Sequence, residues 1–308
     1  MNESIDIEVL MEECGVGRLS QELIIANIIE LKSKYDKESL VDIFSKLLLK
    51  IKDLDILYEL IKIVDITKEP KILSSLLDIL LLRNMDYEDQ DKLVNIRVLA
   101  SKAIANYKDA STLGSLLYCL NNKSENYKVR LACADALGRI GDRYAVEPLI
   151  DVVQDENEKS IYVKESATFA LGLIGDTSAI EPLINVLEGK QGLLDRFSFL
   201  KEKIVEALGR LNINNKKVFK VLKKSIYDNS PIVRINAIEA LMNSDFEEAS
   251  DTIRIALLDD DEEVKRNALI ALYNLLGRNF LDEVISLPSY SEFLKNEAKM
   301  LIEEYEED

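Results

Sequence analysis

A pattern of apolar and small residues recurs along the chain about every 33 residues. Val129 begins the segment VRLACADALGRIGD, and Val163 begins the related segment VKESATFALGLIGD. Equivalent positions follow one another at intervals of 33, 34, 37, 33, 31 and 30 residues. These positions, called the anchors below, are Ile96, Val129, Val163, Leu200, Val233, Val264 and Leu294. A period of this length is typical of a two-helix unit that stacks on its neighbours in an α-solenoid.

The positions after each anchor describe one face of a helix. Small residues recur four and seven positions later, as in Ala100 and Ala103, and Leu or Ile stands eight positions later. These offsets fall on one face at 3.6 residues per turn. A second apolar triplet, such as Leu149, Val152 and Val153, predicts a second helix in each unit. The predicted fold class is therefore all-α, a right-handed α-solenoid superhelix of antiparallel helix pairs.

Residues 1–90 show helical patterns as well, over 20–35, 37–50, 53–64 and 67–82. The apolar faces of these segments are less regular than those that follow. We expect residues 1–90 to form degenerate helical repeats and an N-terminal cap. Residues 91–308 are expected to form the regular repeats, stacked as one continuous structural unit.

One basic residue follows every anchor. The column consists of Arg97, Arg130, Lys164, Lys201, Arg234, Lys265 and Lys295. A cation early in a helix opposes the helix dipole, and an acid three or four residues earlier is available only to Lys265 and Lys295. We therefore predict a structural ladder, in which each cation bonds polar groups of the turn or helix end in the neighbouring repeat.

A polar column stands five positions before the anchors. Its members are Asp91, Ser124, Glu158, Asp195, Asp228, Asp259 and Ser289. Side chains of this kind accept hydrogen bonds from the free N–H groups of a starting helix. They are predicted to cap the first helix of each unit.

The segments at Val129 and Val163 resemble the HEAT-like repeats named after phycobiliprotein lyases. The shared pattern is V-R-x-x-A-x-x-A-L-G-x-I-G-D followed by A-x-x-x-L, and the resemblance covers residues 91–308, weakening from Leu200 onward. It implies a HEAT-like solenoid that serves scaffolds, lyases and enzymes alike. Lyases of the family hold a tetrapyrrole, which leaves a phycobilin-lyase-like function open. Deoxyhypusine hydroxylase builds its di-iron site from His-Glu pairs, and the absence of His disfavours that activity here.

Composition restricts the chemistry further. The chain carries 56 acidic against 39 basic residues, a net charge of −17, which disfavours nucleic acid as a partner because phosphate binding needs clustered cations. With no His, catalytic triads and His-ligated metals are excluded. We expect no catalytic residue, no metal and no cofactor. A metal-dependent oxidoreductase that uses carboxylates alone is the least favoured alternative.

Three cysteines and the absence of long apolar runs bear on the compartment. Cys14, Cys119 and Cys133 are too scattered for a disulfide framework, which favours a reducing, cytoplasmic compartment. Neither a secretory signal nor a membrane-inserted segment is expected. The columns predict that Cys119 and Cys133 are buried. Cys14 is expected to be exposed, with a pKa raised by its acidic neighbours.

Partner recognition is expected on the second helices, which line the concave surface of α-solenoids. Their outward positions change sign along the chain, from acidic or polar to basic. The predicted binding residues are Glu147, Asp151, Glu181, Asn185, Lys216, Lys220, Lys223 and Lys224. Phe197 and Phe199, in the longest interval between anchors, are a second candidate, although packing beneath the loop is the alternative that we favour for them. The predicted function is a non-enzymatic protein-interaction scaffold or assembly factor.

Overall fold

A computed structural model describes residues 6–64, 69–82, 87–189, 198–211 and 215–306. Within these ranges every regular element is helical, and the prediction of an all-α solenoid is confirmed. The chain forms two compact units, which are described in turn. The first ends at Val152 and also includes Asn157–Ala170; the second contains Val153–Glu156 and continues from Leu171.

The first unit begins with five helices that precede the regular repeats. Its helices are α1 Ile7–Glu13, α2 Gln21–Lys34, α3 Lys37–Lys50, α4 Leu54–Val64, α5 Pro70–Leu80, α6 Gln90–Ala105, α7 Leu113–Asn121 and α8 Tyr127–Ile140. Two further helices, α9 Val146–Gln154 and α10 Ile161–Ile174, have residues in both units. Four of the first five agree closely with the segments predicted from sequence. Helix α1 was not predicted, because only Leu10 in it is buried and its apolar pattern is short.

The second unit continues the alternation of first and second helices. Its helices are α11 Ile180–Glu188, α12 Ser198–Arg210, α13 Lys216–Ser225, α14 Pro231–Met242, α15 Ala249–Arg254, α16 Glu262–Leu276, α17 Arg278–Ser286 and α18 Glu292–Glu306. A 3₁₀ turn, Ile255–Leu258, extends α15.

First helices pack on first helices in each unit. In the first unit α2, α4, α6 and α8 contact one another in that order, and α1, α3 and α5 form a second row. In the second unit α12, α14, α16 and α18 form the equivalent row. Since α2 and α4 join the row that α6 continues, the packing of the repeats begins before residue 90.

Small residues in the first helices allow this close packing. Ala100, Ala167 and Ala237, four positions after their anchors, are fully buried. A Cβ atom added to Gly138 would lie 2.6 Å from the Cα atom of Ala170 on the next first helix of the unit. Contacts that short do not occur between real side chains and backbone, so glycine is required at this position.

The helix caps of α8, α14 and α16 lie two residues later than the polar column predicted, and the cap of α6, Asp89, lies two residues earlier. The observed N-caps include Asn126, Ser230 and Asp261, whose side chains accept from backbone N–H groups of α8, α14 and α16. The column members Asp228 and Asp259 instead accept from the N–H groups of Ser230 and Asp261 in the turn before the helix. Asp91 lies inside α6, and Asp195 lies outside the described residues. The capping prediction was therefore wrong for these positions.

Candidate functional site

Helix α13 has one apolar face and one basic face. Val218, Val221 and Leu222 are buried against the unit. The helix contains five lysines, all exposed, and Asn215 caps its first turn by accepting from the N–H groups of Lys217 and Val218. The alternation KKVFKVLKKS forces this division, because residues three and four apart share a face of an α-helix.

Four of the five lysines form a charged row without counterions. Lys216, Lys220, Lys223 and Lys224 make no ion pair with any residue that the structure describes. Lys220 follows Lys216 by four residues, and Lys223 and Lys224 follow Lys220 by three and four, so their ammonium groups project from the same side of α13. We call these four residues the lysine row.

The fifth lysine is paired with an acid of the preceding second helix. Nζ of Lys217 lies 2.5 Å from Oε1 of Glu181, which α11 presents to α13. Asn185 and Glu188 are exposed on the same helix. The structure thus brings one predicted acidic residue, Glu181, against the basic helix, but the contact uses Lys217, not a member of the lysine row.

The other predicted acidic residues belong to α9. Glu147 and Asp151 lie in the part of α9 that belongs to the first unit, and both are exposed. Neither forms an ion pair within the part of the chain that the structure describes.

Phe199, at the start of α12, is not covered by the unit. Its side chain is 65% exposed, so the expectation that it packs beneath the loop was wrong. Phe197 lies outside the described residues.

The basic column after the anchors connects neighbouring repeats in the first unit. Nε of Arg97 donates to the carbonyl oxygen of Leu80 at 2.8 Å, and its terminal nitrogens donate to Glu125 at 2.9 and 2.6 Å. Burial alone would lower the pKa of Arg97, but the bonds to Glu125 raise it above the ordinary value. The guanidinium thus joins the helix end before it to the turn after it.

Arg130, in the next repeat, makes the same set of contacts. It donates to the carbonyl oxygen of Leu120 at 2.7 Å and to the two carboxylate oxygens of Glu158 at 2.9 and 2.6 Å. The side chains of Arg130 and Glu158 are only 5% and 2% exposed. Bidentate pairs of this kind are among the strongest charge-assisted hydrogen bonds.

The second unit carries the same contact with less burial. Lys201 lies 2.8 Å from a carboxylate oxygen of Asp228, and Arg234 lies 2.7 Å from a carboxylate oxygen of Asp259. Arg234 also donates to the carbonyl oxygen of Asp228 at 2.8 Å. These contacts join each turn to the next.

Two residues of the column differ from the predicted pattern. Nζ of Lys265 lies 6.0 Å from the ring centre of Phe293, and its neighbour Arg266 makes the contact to the next helix, 2.9 Å from Glu297. Lys295 pairs with Glu292 of its own helix at 3.0 Å. Lys164, in the first unit, is 5% exposed.

Glu125 is the ladder residue that the sequence pattern missed. It lies one position after Ser124, the member of the polar column, and it accepts both guanidinium bonds of Arg97. The sequence does contain a signal for this contact, because Glu125 lies 28 residues after Arg97 and Glu158 lies 28 residues after Arg130.

Two surface cavities lie in the first unit, of about 380 and 430 Å³. The first is lined by Arg97 and Glu125, which bond each other, and the second by Lys92 and Asp55, which lie 2.6 Å apart. Among the residues described, no three His, Cys, Asp or Glu side chains are grouped to hold a metal ion. None of the described helices is long and apolar enough to cross a membrane.

All three cysteines are buried as free thiols. The prediction for Cys119 and Cys133 is confirmed, and the expected exposure of Cys14 was wrong, because its side chain is 2% exposed. Burial, more than the charge of Glu13, raises the pKa of Cys14. A hydrogen bond between the other two thiols lowers the pKa of Cys119 and raises that of Cys133.

Solved structures of several proteins match most of this chain. The complex of CpcE and CpcF of phycocyanin lyase from Nostoc sp. PCC7120 is 20% identical over 85% of this chain and 94% of that chain, with a TM-score of 0.46. Human deoxyhypusine hydroxylase is 16% identical over 88% and 97%, with a TM-score of 0.38. Kap121p is 12% identical over 95% of this chain and 40% of its own, with a TM-score of 0.50, and this likeness shows the fold. No curated protein sequence gives a significant match.

Family models describe the repeats directly. The model of the PBS lyase HEAT-like repeat matches residues 163–189. The model of HEAT repeats matches residues 87–161 and 190–273, which is more than half of the chain. The resemblance found in the sequence is confirmed, and the chain belongs to the HEAT-repeat family.

Proposed function

We propose that this protein is a non-enzymatic scaffold or assembly factor that binds a protein partner through its second helices. The observation that carries the proposal is the lysine row on α13, whose four cations are exposed and have no counterion among the described residues. Charged groups that fold stability requires are paired in this chain, as in the contact between Arg130 and Glu158. Charges left unpaired on a rigid surface are available to steer a partner.

The stacked helices supply what a scaffold needs. Repeat proteins present extended surfaces whose outward positions vary while the buried columns hold the fold. Here the buried columns pack the helices together and the ladder residues bond neighbouring repeats. Glu147 and Glu181 are exposed at equivalent positions of two second helices, and so are Asp151 and Asn185. Recognition by surface presentation requires no further chemistry from the chain.

The test compares proteins captured from the source organism by the wild type and by two matched variants. In the first variant Lys216, Lys220 and Lys223 are changed to Glu. In the control Lys128, Lys159 and Lys299, which are exposed elsewhere, are changed to Glu, so both variants have the same net charge. Captured proteins are identified by mass spectrometry, and the thermal unfolding of each variant verifies that it is folded.

A partner held by the wild type and the control but lost from the α13 variant supports the proposal. Equal capture by all three proteins would place recognition away from α13 and overturn it in this form. Visible absorbance that develops when the purified protein is mixed with a bilin would instead favour a tetrapyrrole-binding function.

A further inference from the structure

Two of the lysines of α13 work against the stability of the helix itself. Lys216 occupies the first turn, where a cation opposes the helix dipole. Lys220 has a like charge four residues before it, at Lys216, and others three and four residues after it, at Lys223 and Lys224. Like charges at these spacings destabilise a helix. Lys223 and Lys224 lie in the last turn, where the dipole favours a cation, so helix stability accounts for them but not for Lys216 and Lys220, which point to a partner that supplies negative charge.

The shape of the basic surface restricts that partner. From Lys216 to Lys224 the helix rises about 12 Å, so the lysine row is short. On one side, Glu181 of α11 contacts α13 through Lys217. On the other side, the ring of Phe246 lies 4.6 Å from that of Phe219, which brings the exposed residues Glu247 and Glu248 beside the helix. The positive surface is thus one helix wide and has acids on both flanks.

A long polyanion does not fit such a surface. A nucleic acid strand or an anionic membrane that extends beyond the lysine row meets the acids of the neighbouring elements, in a chain whose net charge is −17. A polypeptide segment can carry a few carboxylates at the centre and neutral or basic residues on both sides. Charge complementarity therefore favours a short acidic segment of a protein.

An aromatic side chain extends the row at the end of α13. Tyr227 follows Lys223 by four residues, and its backbone N–H bonds the carbonyl oxygen of Lys224, so it continues the turn. Its side chain is 66% exposed. Exposed tyrosines give contact area at low entropic cost in recognition surfaces.

We propose that the lysine row and Tyr227 form a docking site for a short acidic segment of a partner protein. The carboxylates of the segment lie against Lys216, Lys220, Lys223 and Lys224, and an apolar side chain of the segment packs on Tyr227. This inference rests on the proposed scaffold function and names the chemistry of the partner.

The test measures binding of a short fluorescent peptide of alternating Glu and Ser with one central Leu, by fluorescence anisotropy at low salt. A peptide with Gln in place of Glu is the control ligand, and a fluorescent oligothymidylate and vesicles containing phosphatidylserine are the rival ligands. The test variant changes the four residues of the lysine row to Gln. A control variant with the same net charge changes Lys32, Lys128, Lys159 and Lys299 to Gln, all of which are exposed elsewhere.

The wild type and the control variant are expected to bind the Glu peptide at least about tenfold more tightly than the test variant does, since four exposed ion pairs are lost. Added salt is expected to weaken this binding. Tyr227→Ala is expected to bind the Glu peptide more weakly than the wild type does, with the same salt dependence. The thermal midpoint of the test variant should be no lower than that of the wild type, which excludes misfolding as the cause.

Three results would overturn the inference. Tighter binding of oligothymidylate or of the vesicles through the same lysines would assign the row to a different class of partner. Equal binding of the Glu and Gln peptides would remove the role of charge. No binding of the Glu peptide, while a captured protein still depends on Lys216, Lys220 and Lys223, would leave the scaffold function standing and refute its acidic partner.

Discussion

Replacing Arg130 by Met tests whether the contacts of the ladder contribute to the free energy of unfolding. Arg130 makes one bond to the carbonyl oxygen of Leu120 and two to Glu158, at 2.6 to 2.9 Å. Met keeps the aliphatic stem of the side chain but removes the guanidinium, so the carboxylate of Glu158, which is 2% exposed, loses both bonds from Arg130. Breaking one side of a buried ion pair costs about 3–5 kcal/mol.

The half-buried contact between Lys201 and Asp228 is the internal comparison. Lys201 and Asp228 are 22% and 18% exposed and share one bond of 2.8 Å. Solvent screens this pair, so Lys201→Met is expected to cost only about 1 kcal/mol. The two substitutions have the same final side chain, and the difference between them isolates burial and the number of bonds.

The assay is equilibrium unfolding in urea, followed by circular dichroism and by the signal of a single added tryptophan in each unit, since repeat arrays depart from two-state behaviour. The variant with both Arg130→Met and Glu158→Met should be more stable than Arg130→Met alone, because an apolar pair of similar volume removes the buried carboxylate that has lost its bonds from Arg130. If Arg130→Met costs no more than Lys201→Met, or if the second change gives no recovery, the ladder does not act as described.

Four further outcomes follow from other contacts. Gly138→Ala should destabilise the protein by about 1–3 kcal/mol because its Cβ atom would lie 2.6 Å from Ala170, whereas Gly114→Ala, with nothing within 4 Å, should stabilise by up to about 1 kcal/mol, both measured in urea. Arg266 lowers the pKa of Glu297 below the ordinary 4.5, so this pair adds stability above that pH and loses it as the pH falls through the lowered pKa. In thermal melts at a series of pH values, Glu297→Gln should therefore reduce the loss of stability at acid pH. The three buried thiols should react with Ellman's reagent only after unfolding, and fast labelling of Cys14 in the native protein would contradict its burial. Changing Lys216 and Lys220 to Gln should raise stability by roughly 1 kcal/mol, because it removes a first-turn cation and three like-charge contacts, and a loss of stability would contradict this reasoning.

The regular part of the fold could be predicted because its causes are local and repeated. Apolar and small residues at the same offsets from seven anchors define one buried face, and Ala100, Ala167 and Ala237 in that face are fully buried. The basic column could be recognised for a different reason, because a cation after each anchor has no explanation within its own helix. A signal that recurs in seven copies outweighs the ambiguity of any one copy.

The predictions that failed depend on tertiary contacts that the pattern does not contain. The burial of Cys14 results from α2, where Asn27 donates to its backbone carbonyl oxygen at 3.1 Å. The acids five residues before the anchors Val233 and Val264, at Asp228 and Asp259, face the cation of the preceding repeat, because the turn places the cap two residues later. Likewise, the sequence shows five lysines in α13, but only the structure reveals that Lys217 is the one that pairs with a described residue, Glu181.

The ladder and the lysine row use the same kinds of charge for opposite purposes. In the ladder, Arg130 is buried and each of its bonds ends on an acceptor of a neighbouring turn or helix end. The four cations of the lysine row are exposed and form no ion pair with a described residue, in a chain with 17 more acids than bases. Acidic counterions would have been easy to supply, so the lack of ion pairs at the row within the described residues is a property of the surface, not of the composition. It follows that the two sets of variants should separate: a ladder variant that still folds loses stability but keeps the charge of α13, whereas a lysine-row variant keeps or gains stability and loses the partner.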